Sequence, residues 1–296
     1  MADHSAATFH CVAVLGTGLI GGSFALALRR HLPEARIIGF DRELILQQAR
    51  ARNAIDESST DLAAAVRGAD LVYIALPIST TIELLPEIAK HAAPNALVTD
   101  ACSTKRAICR AAAQYFQNDF HSGAIFLGGH PMAGKETEGI AAADEKLFQN
   151  AKYALIEDGA ELKNDQRVGA FAALLEKMHA HPMWLDADTH DWAVAIVSHL
   201  PQMAAIALAE VIAAESDGEA TGLPTSLAGP GVRDSLRLAA SPYSMWRDIA
   251  FTNSDNLARA LDRLAQAIEQ LRTHLTSRDL ENSFAEANRL HKALKP

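Results

Sequence analysis

From Cys11 to about Asp186, short apolar runs alternate with stretches of helical periodicity. The runs Cys11 to Leu15, Arg36 to Phe40, Leu71 to Leu76, Leu97 to Asp100, Ile125 to Leu127, Tyr153 to Ile156 and Met183 to Leu185 read as strands. Most are apolar on both alternate faces, as strands must be when helices cover both sides of a sheet. The pattern predicts parallel strands joined by helical crossovers, an α/β domain. After Asp186 the strand signals stop, and Ala/Leu periodicity of helical type continues to the end, broken at Gly222 to Pro224 and Gly229 to Gly231. The stretch Cys11 to Leu28 carries no charge over 18 residues, but glycines at 16, 18, 21 and 22 break it into a strand, a turn and a helix start rather than a membrane span.

Composition narrows the class. A chain of 296 residues, 49% hydrophobic and 21% charged, is long enough for two packed domains and too apolar to be disordered. Lys and Arg number 27 against 36 Asp and Glu, and the net charge of −9 has the wrong sign for steering towards nucleic acid or an anionic membrane. Cys11, Cys102 and Cys109 are odd in number and lack CxxC spacing, which favours neither a disulfide framework nor a thiolate metal site. Together with a start, Met1 to His10, that lacks a basic segment and an apolar core, this predicts a cytoplasmic protein.

Gly16-Thr17-Gly18-Leu19-Ile20-Gly21 lies between a strand and the helical run Ser23 to Arg30, the context a dinucleotide-binding GxGxxG requires. Gly16 permits the tight turn, Gly18 lets the backbone approach a pyrophosphate, and Gly21 lets the helix lie close to the strand, so the amides around Leu19 and Ile20 aim at phosphates. Asp41, ending the second strand, is placed to accept hydrogen bonds from ribose hydroxyls, which favours NAD over NADP. Arg42 keeps NADP open, since a guanidinium there can pair a 2′-phosphate or lie on the adenine. The expected architecture is a Rossmann-type dinucleotide-binding domain over 1–186 and an all-helical domain over 187–296.

In an open α/β sheet, reacting groups gather at the carboxyl ends of the strands. Thr99-Asp100-Ala101-Cys102-Ser103-Thr104-Lys105 is one such end; Ser103 or Thr104 is there either a helix N-cap or a catalytic hydroxyl. Gly128-Gly129-His130-Pro131 is another, where a stiffened turn fixes His130 and a neutral imidazole can accept a proton from an alcohol as hydride leaves its carbon. Asp186, Asp188, His190 and Asp191 resemble hard metal ligands, but acidic residues complementing a helix dipole are the stronger reading, and no metal is expected. In the helical half, Asp234 and Arg237 share a face at i,i+3, a carboxylate-held arginine suited to gripping a carboxylate. Ser198 and Gln202 are four apart, with Pro201 between them expected to kink the helix.

Taken together, GTGLIGGS, DACSTK, GGHPMAGKE, SHLPQ and AGPGVRDSLR followed by MWRDI make the chain, from about Val12 to Leu257, resemble the prephenate/arogenate (cyclohexadienyl) dehydrogenase family of tyrosine biosynthesis. The resemblance implies a Rossmann domain, a helical domain that builds a homodimer, and NAD-dependent oxidative decarboxylation of a cyclohexadienyl acid. It implies His130 as base on the ring hydroxyl, Ser103 as the hydroxyl that helps hold it, Arg237 as the carboxylate-binding arginine, and Glu136 and Asp234 as gating or supporting residues. Prephenate-preferring members carry histidine where SHLPQ ends in Gln202, so prephenate, arogenate or both remain open as substrate. The helical half is expected to run to about Leu275, too short a tail for the regulatory domain of some relatives. Two other readings compete. A β-hydroxyacid dehydrogenase would need a lysine base, yet no lysine lies between Lys177 and Lys292. A non-catalytic dinucleotide sensor would have no need of His130, Ser103 and Arg237 together.

Overall fold

The computed structural model describes residues 9–116, 123–135, 137–157, 162–217 and 222–294. Six parallel strands, β1 (Cys11–Leu15), β2 (Arg36–Phe40), β3 (Glu57–Ser59), β4 (Leu71–Ile74), β5 (Leu97–Asp100) and β6 (Ile125–Leu127), form a sheet of order β3-β2-β1-β4-β5-β6. This is the doubly wound order of a Rossmann fold, in which the connections reverse direction between β1 and β4. Alternation explains how both faces are covered. Val12 and Val14 of β1 join Phe24, Leu28, Tyr73 and Phe171 on one side, and Ala13 and Leu15 join Val72, Ile74, Leu85 and Ile88 on the other. Each such large side chain stabilises the fold by roughly 1.5–3 kcal/mol relative to exposure.

A second, mixed sheet follows, in which β7 (Gly129–Pro131) pairs antiparallel with β8 (Lys152–Ile156) and β8 pairs parallel with β9 (His181–Leu185). Neither β3 nor β7 stands out in the sequence. The polar Glu57–Ser59 edge shows no apolar alternation, and a Gly-His-Pro strand goes against β propensity; both exist because a neighbouring strand offers them a ladder.

The chain divides into two compact units, but not at a single cut near Asp186. The α/β unit extends through Val194 and reclaims Ser241–Thr252, while Ala195–Ala240 and the chain from Asn253 onward form the helical unit. Two contacts inside the α/β unit account for the reclaimed segment. Ile249 packs with Ile78, Cys102 and Ile108, and the Asp248 carboxylate accepts from the Ser79 amide at 2.9 Å and from the Ser79 hydroxyl at 2.6 Å. The helical unit contains Leu200–Ser216, Pro230–Leu236, Ser254–His274 and a further helix, Asp279–Ala293, beyond the expected end near Leu275. The irregularity expected at Pro201 is a π-helical turn over Ala195–His199, placed where proline offers no N–H to the ladder.

Candidate active site

The glycine turn follows directly from local chain geometry. Gly16 has φ of +87°, and a Cβ on it would stand 2.4 Å from the Ala75 carbonyl oxygen. A Cβ on Gly21 would stand 1.9 Å from the Gly16 carbonyl oxygen, so the Leu19–His31 helix can lie against the turn only with glycine there. At Gly18 a Cβ would meet no protein atom within 4 Å; the position borders open space that a side chain would fill. No side chain caps the helix start, which leaves its amides to a ligand of negative charge. Asp41, just beyond β2, accepts from the Thr17 amide at 2.8 Å and from the Arg42 amide at 2.7 Å, latching the glycine turn to the second strand. Its acceptor-only carboxylate suits ribose hydroxyls and repels a 2′-phosphate, while Arg42 beside it is exposed. These residues fit a dinucleotide. A cleft of about 470 Å³ opens beside the turn, its wall including Leu19, Ile20, Pro77, Ser103, Gly134 and Met245.

Ser103 therefore belongs to the cleft wall. The first amides of the Arg106–Phe116 helix, which Ser103 or Thr104 was expected to cap, are served from another helix: Asp191 accepts from the Lys105 amide at 2.7 Å and from the Arg106 amide at 3.0 Å. Thr104 instead meets the Thr252 hydroxyl at 2.7 Å. Just before Ser103, Cys102 is buried with its thiol pushed up to about 12, by burial first and by the nearby Asp100 charge second, so it stays protonated at neutral pH.

His130 is the middle residue of β7, paired with Ala154 across the ladder, rather than part of a free turn. A fully buried ion pair fixes that strand. Asp100, ending β5, accepts from the Gly129 amide at 3.0 Å, and Lys105 bonds both the Asp100 carboxylate and the Gly129 carbonyl oxygen. Burial alone would lower the Lys105 pKa, but the adjacent Asp100 charge holds it above the ordinary lysine value. His130 Nδ1 lies 2.9 Å from His190 Nε2, and His190 Nδ1 lies 2.8 Å from Asp191 Oδ1. His190 is 1% exposed and Asp191 fully buried. Burial pushes the Asp191 carboxyl up, yet hydrogen bonds from His190 and from the Arg106 and Lys105 amides outweigh it, leaving the carboxyl below the ordinary aspartate range.

The remaining predicted residues lie in the helical unit, apart from Glu136, which falls outside the described residues. Arg237 follows the Pro230–Leu236 helix, and Asp234 lies within it; both are exposed. Ser198 and Gln202, four apart in sequence, differ in burial. The π turn shifts the register, so His199 and Gln202 are each 1% exposed while Ser198 is half-buried. The Gln202 amide nitrogen donates to the Leu238 carbonyl at 2.8 Å.

Sequence patterning gives Asp100 and Lys105 no role of their own, and marks His190 and Asp191 only as complements to a helix dipole. A signal existed for the last two: Ala187, His190, Asp191 and Val194 are the buried residues of the Ala187–Val194 helix, the i, i+3, i+4, i+7 stripe of a core face. Ionisable residues on such a stripe need buried partners. Asp186, in contrast, caps that helix by accepting from the Thr189 amide at 2.8 Å, as the dipole reading implied. Among the described residues, no group of three or more His, Cys, Asp or Glu is arranged to hold a metal ion.

Strand order and glycine turn together place the chain among dinucleotide-binding α/β proteins. Family models described as "Prephenate dehydrogenase, nucleotide-binding domain" and "Prephenate dehydrogenase, dimerization domain" match residues 24–183 and 186–295. The prephenate dehydrogenase of Lactococcus lactis is 35% identical over 96% of this chain and 77% of its own length. The crystal structure of Synechocystis arogenate dehydrogenase is 31% identical, with a TM-score of 0.75 over 96% of each chain. That of A. aeolicus prephenate dehydrogenase, in complex with hydroxyphenyl propionate and NAD+, is 27% identical, with a TM-score of 0.84 over 98% of each chain. The chain belongs to the prephenate dehydrogenase family.

Proposed function

We propose that the protein oxidatively decarboxylates a cyclohexadienyl acid, prephenate or arogenate, using NAD. The observation that carries this reading is the presence in one compact unit of a dinucleotide turn, a cleft walled by Ser103, and an imidazole bonded to buried His190, which is bonded in turn to buried Asp191. Bound NAD would supply the acceptor for hydride from the hydroxyl-bearing ring carbon, and loss of the quaternary carboxylate as carbon dioxide would aromatise the ring. Gly16, Gly18, Gly21 and the amides near Leu19 and Ile20 would hold the pyrophosphate, and Asp41 the ribose. His130 accepts the proton of the ring hydroxyl, which Ser103 helps to orient. Arg237 grips a substrate carboxylate, with Asp234 and Glu136 in support.

Gln202 reads the substrate side chain. Because its Nε2 is committed to the Leu238 carbonyl, its Oε1 is left as an acceptor, which suits the ammonium of arogenate better than the keto group of prephenate. The protein is proposed to be a cytoplasmic homodimer joined through the helical unit. Its three buried free cysteines support the first part, and exposed Val211, Ile268, Leu271 and Phe284 on that unit support the second.

Steady-state NADH formation with each substrate tests the reading, and absence of turnover with both would remove it. Gln202→His should shift the arogenate-to-prephenate ratio of kcat/KM towards prephenate by about 5- to 150-fold, the equivalent of roughly 1–3 kcal/mol. An unchanged ratio would assign specificity to other residues.

A further inference from the structure

We infer that His190 and Asp191 are positioning residues for His130, fixing its ring in the tautomer whose Nε2 carries the proton-accepting lone pair. The inference rests on the reading of His130 as the base and extends it to two residues that need not touch substrate.

The argument is a count of hydrogens along a chain of contacts. Asp191 Oδ1 lies 2.8 Å from His190 Nδ1 and also accepts the Lys105 amide at 2.7 Å, while Oδ2 accepts the Arg106 amide at 3.0 Å. An ionised carboxylate has no hydrogen to give, so the hydrogen between Asp191 and His190 sits on His190 Nδ1. A neutral imidazole protonated at Nδ1 has its lone pair on Nε2. That atom lies 2.9 Å from His130 Nδ1, which must then be the donor. Neutral His130 is left with its lone pair on Nε2. Each step follows from the one before, starting from the charge on Asp191.

The surrounding charges keep that starting point in place. From the Arg106–Phe116 helix, the Arg106 guanidinium approaches Asp191 Oδ2 at 3.5 Å and is itself 3.8 Å from Asp188. From the end of β5, Asp100 is paired with Lys105, and this pair bonds the residue before His130. When His130 takes a proton, the resulting imidazolium points its Nδ1–H along the same chain towards a buried carboxylate. The negative charge at the end of that chain stabilises the charged ring. The two rings cross at 70° with centroids 5.1 Å apart, which permits an in-plane bond to a nitrogen rather than stacking.

Asp191 also caps the Arg106–Phe116 helix, so a loss of activity in one variant does not by itself decide the matter. The decisive experiment labels the histidine ring nitrogens and records long-range ring spectra of the full-length protein across pH, alongside kcat and KM. Wild type is expected to show His130 protonated at Nδ1. Asp191→Asn can donate to His190 Nδ1, which reverses the chain: His130 should become protonated at Nε2, and kcat should fall on the order of 10²- to 10⁴-fold with KM values within about threefold. His190→Gln leaves the helix cap intact and presents an acceptor to His130. It should keep the Nδ1–H tautomer, lower kcat about tenfold or more, and move the acid limb of the pH–rate profile to lower pH. A wild-type His130 protonated at Nε2 overturns the inference. So does a kcat within about threefold of wild type, with an unshifted pH profile, in both variants. If wild type turned over neither substrate, the proposed function would fail, while the ring spectra would still decide the tautomer.

Discussion

The two units bury themselves to very different degrees. In the α/β unit, Val12, Val14, Leu15, Leu71, Val72 and Ile74 have no exposed surface, and Phe24 stacks on Tyr73 with ring centroids 3.7 Å apart. In the helical unit, Val197, Val211, Leu227, Ile268 and Phe284 are each more than half exposed. Part of its interior is polar: Gln202 bonds the Leu238 carbonyl, and Asn256 bonds Asn253, which faces His199. A sheet covered on both faces completes its own core, whereas a few long helices with apolar stripes need another surface to cover them. The difference teaches what each unit lacks. The first completes its own core and leaves a cleft beside the glycine turn, while the second leaves apolar side chains uncovered, the feature on which the homodimer is proposed.

The sharpest break between the units is chemical. His130→Asn should lower kcat by on the order of 10²-fold or more with little change in KM, and should leave association state and melting temperature as in wild type. Rates near wild type, with hydride transfer shown to limit turnover, would remove His130 from its role.

An effect of similar size should appear in the helical unit and be read by association rather than chemistry. Leu271 and Phe284 are 41% and 63% exposed, so covering what remains contributes about half of the roughly 1.5–3 kcal/mol of full burial for each, and a symmetric interface counts each twice. Leu271→Asp combined with Phe284→Asp should therefore weaken the homodimer by about 10²-fold or more in Kd, measured by light scattering across a dilution series. A dimer unaffected by both changes would place the interface on another face.

The smallest effect tests how the reclaimed Ser241–Thr252 segment is held. Asp248→Ala removes the acceptor for the Ser79 amide and hydroxyl at the start of the Ile78–His91 helix, a loss of about 0.5–2 kcal/mol. Burial pushes the Asp248 carboxyl up, but the Ser79 bonds and the adjacent Arg247 bring it below its ordinary value. A lowered folded-state pKa adds stability above the ordinary value of about 3.9 and loses it as pH falls through the folded value. Wild type and variant should thus differ in melting temperature at neutral pH and converge in acid. A difference that persists unchanged below the folded value would mean that packing, not charge, supplies it.

The sequence by itself was enough for whatever depends on near neighbours. The strand, the Gly16 turn and the helix behind it, Asp41 at the end of β2, and the change from α/β to helical pattern are all local signals, and each was found where expected. Ser103 and His130 were legible as candidates because strand ends collect chemistry, but what holds them was not. β7 exists through its ladder with β8, and His130 meets His190 across 60 residues of chain. Ser241–Thr252 joins the first unit through Asp248, a contact spanning 169 positions to Ser79. The π turn moved Ser198 off the face that His199 and Gln202 bury, a change of register that no fixed period anticipates. Periodicity and turn chemistry act over a few residues and fix the elements. A buried hydrogen bond forms only when distant elements pack, so the tertiary structure alone decided which ionisable groups work together.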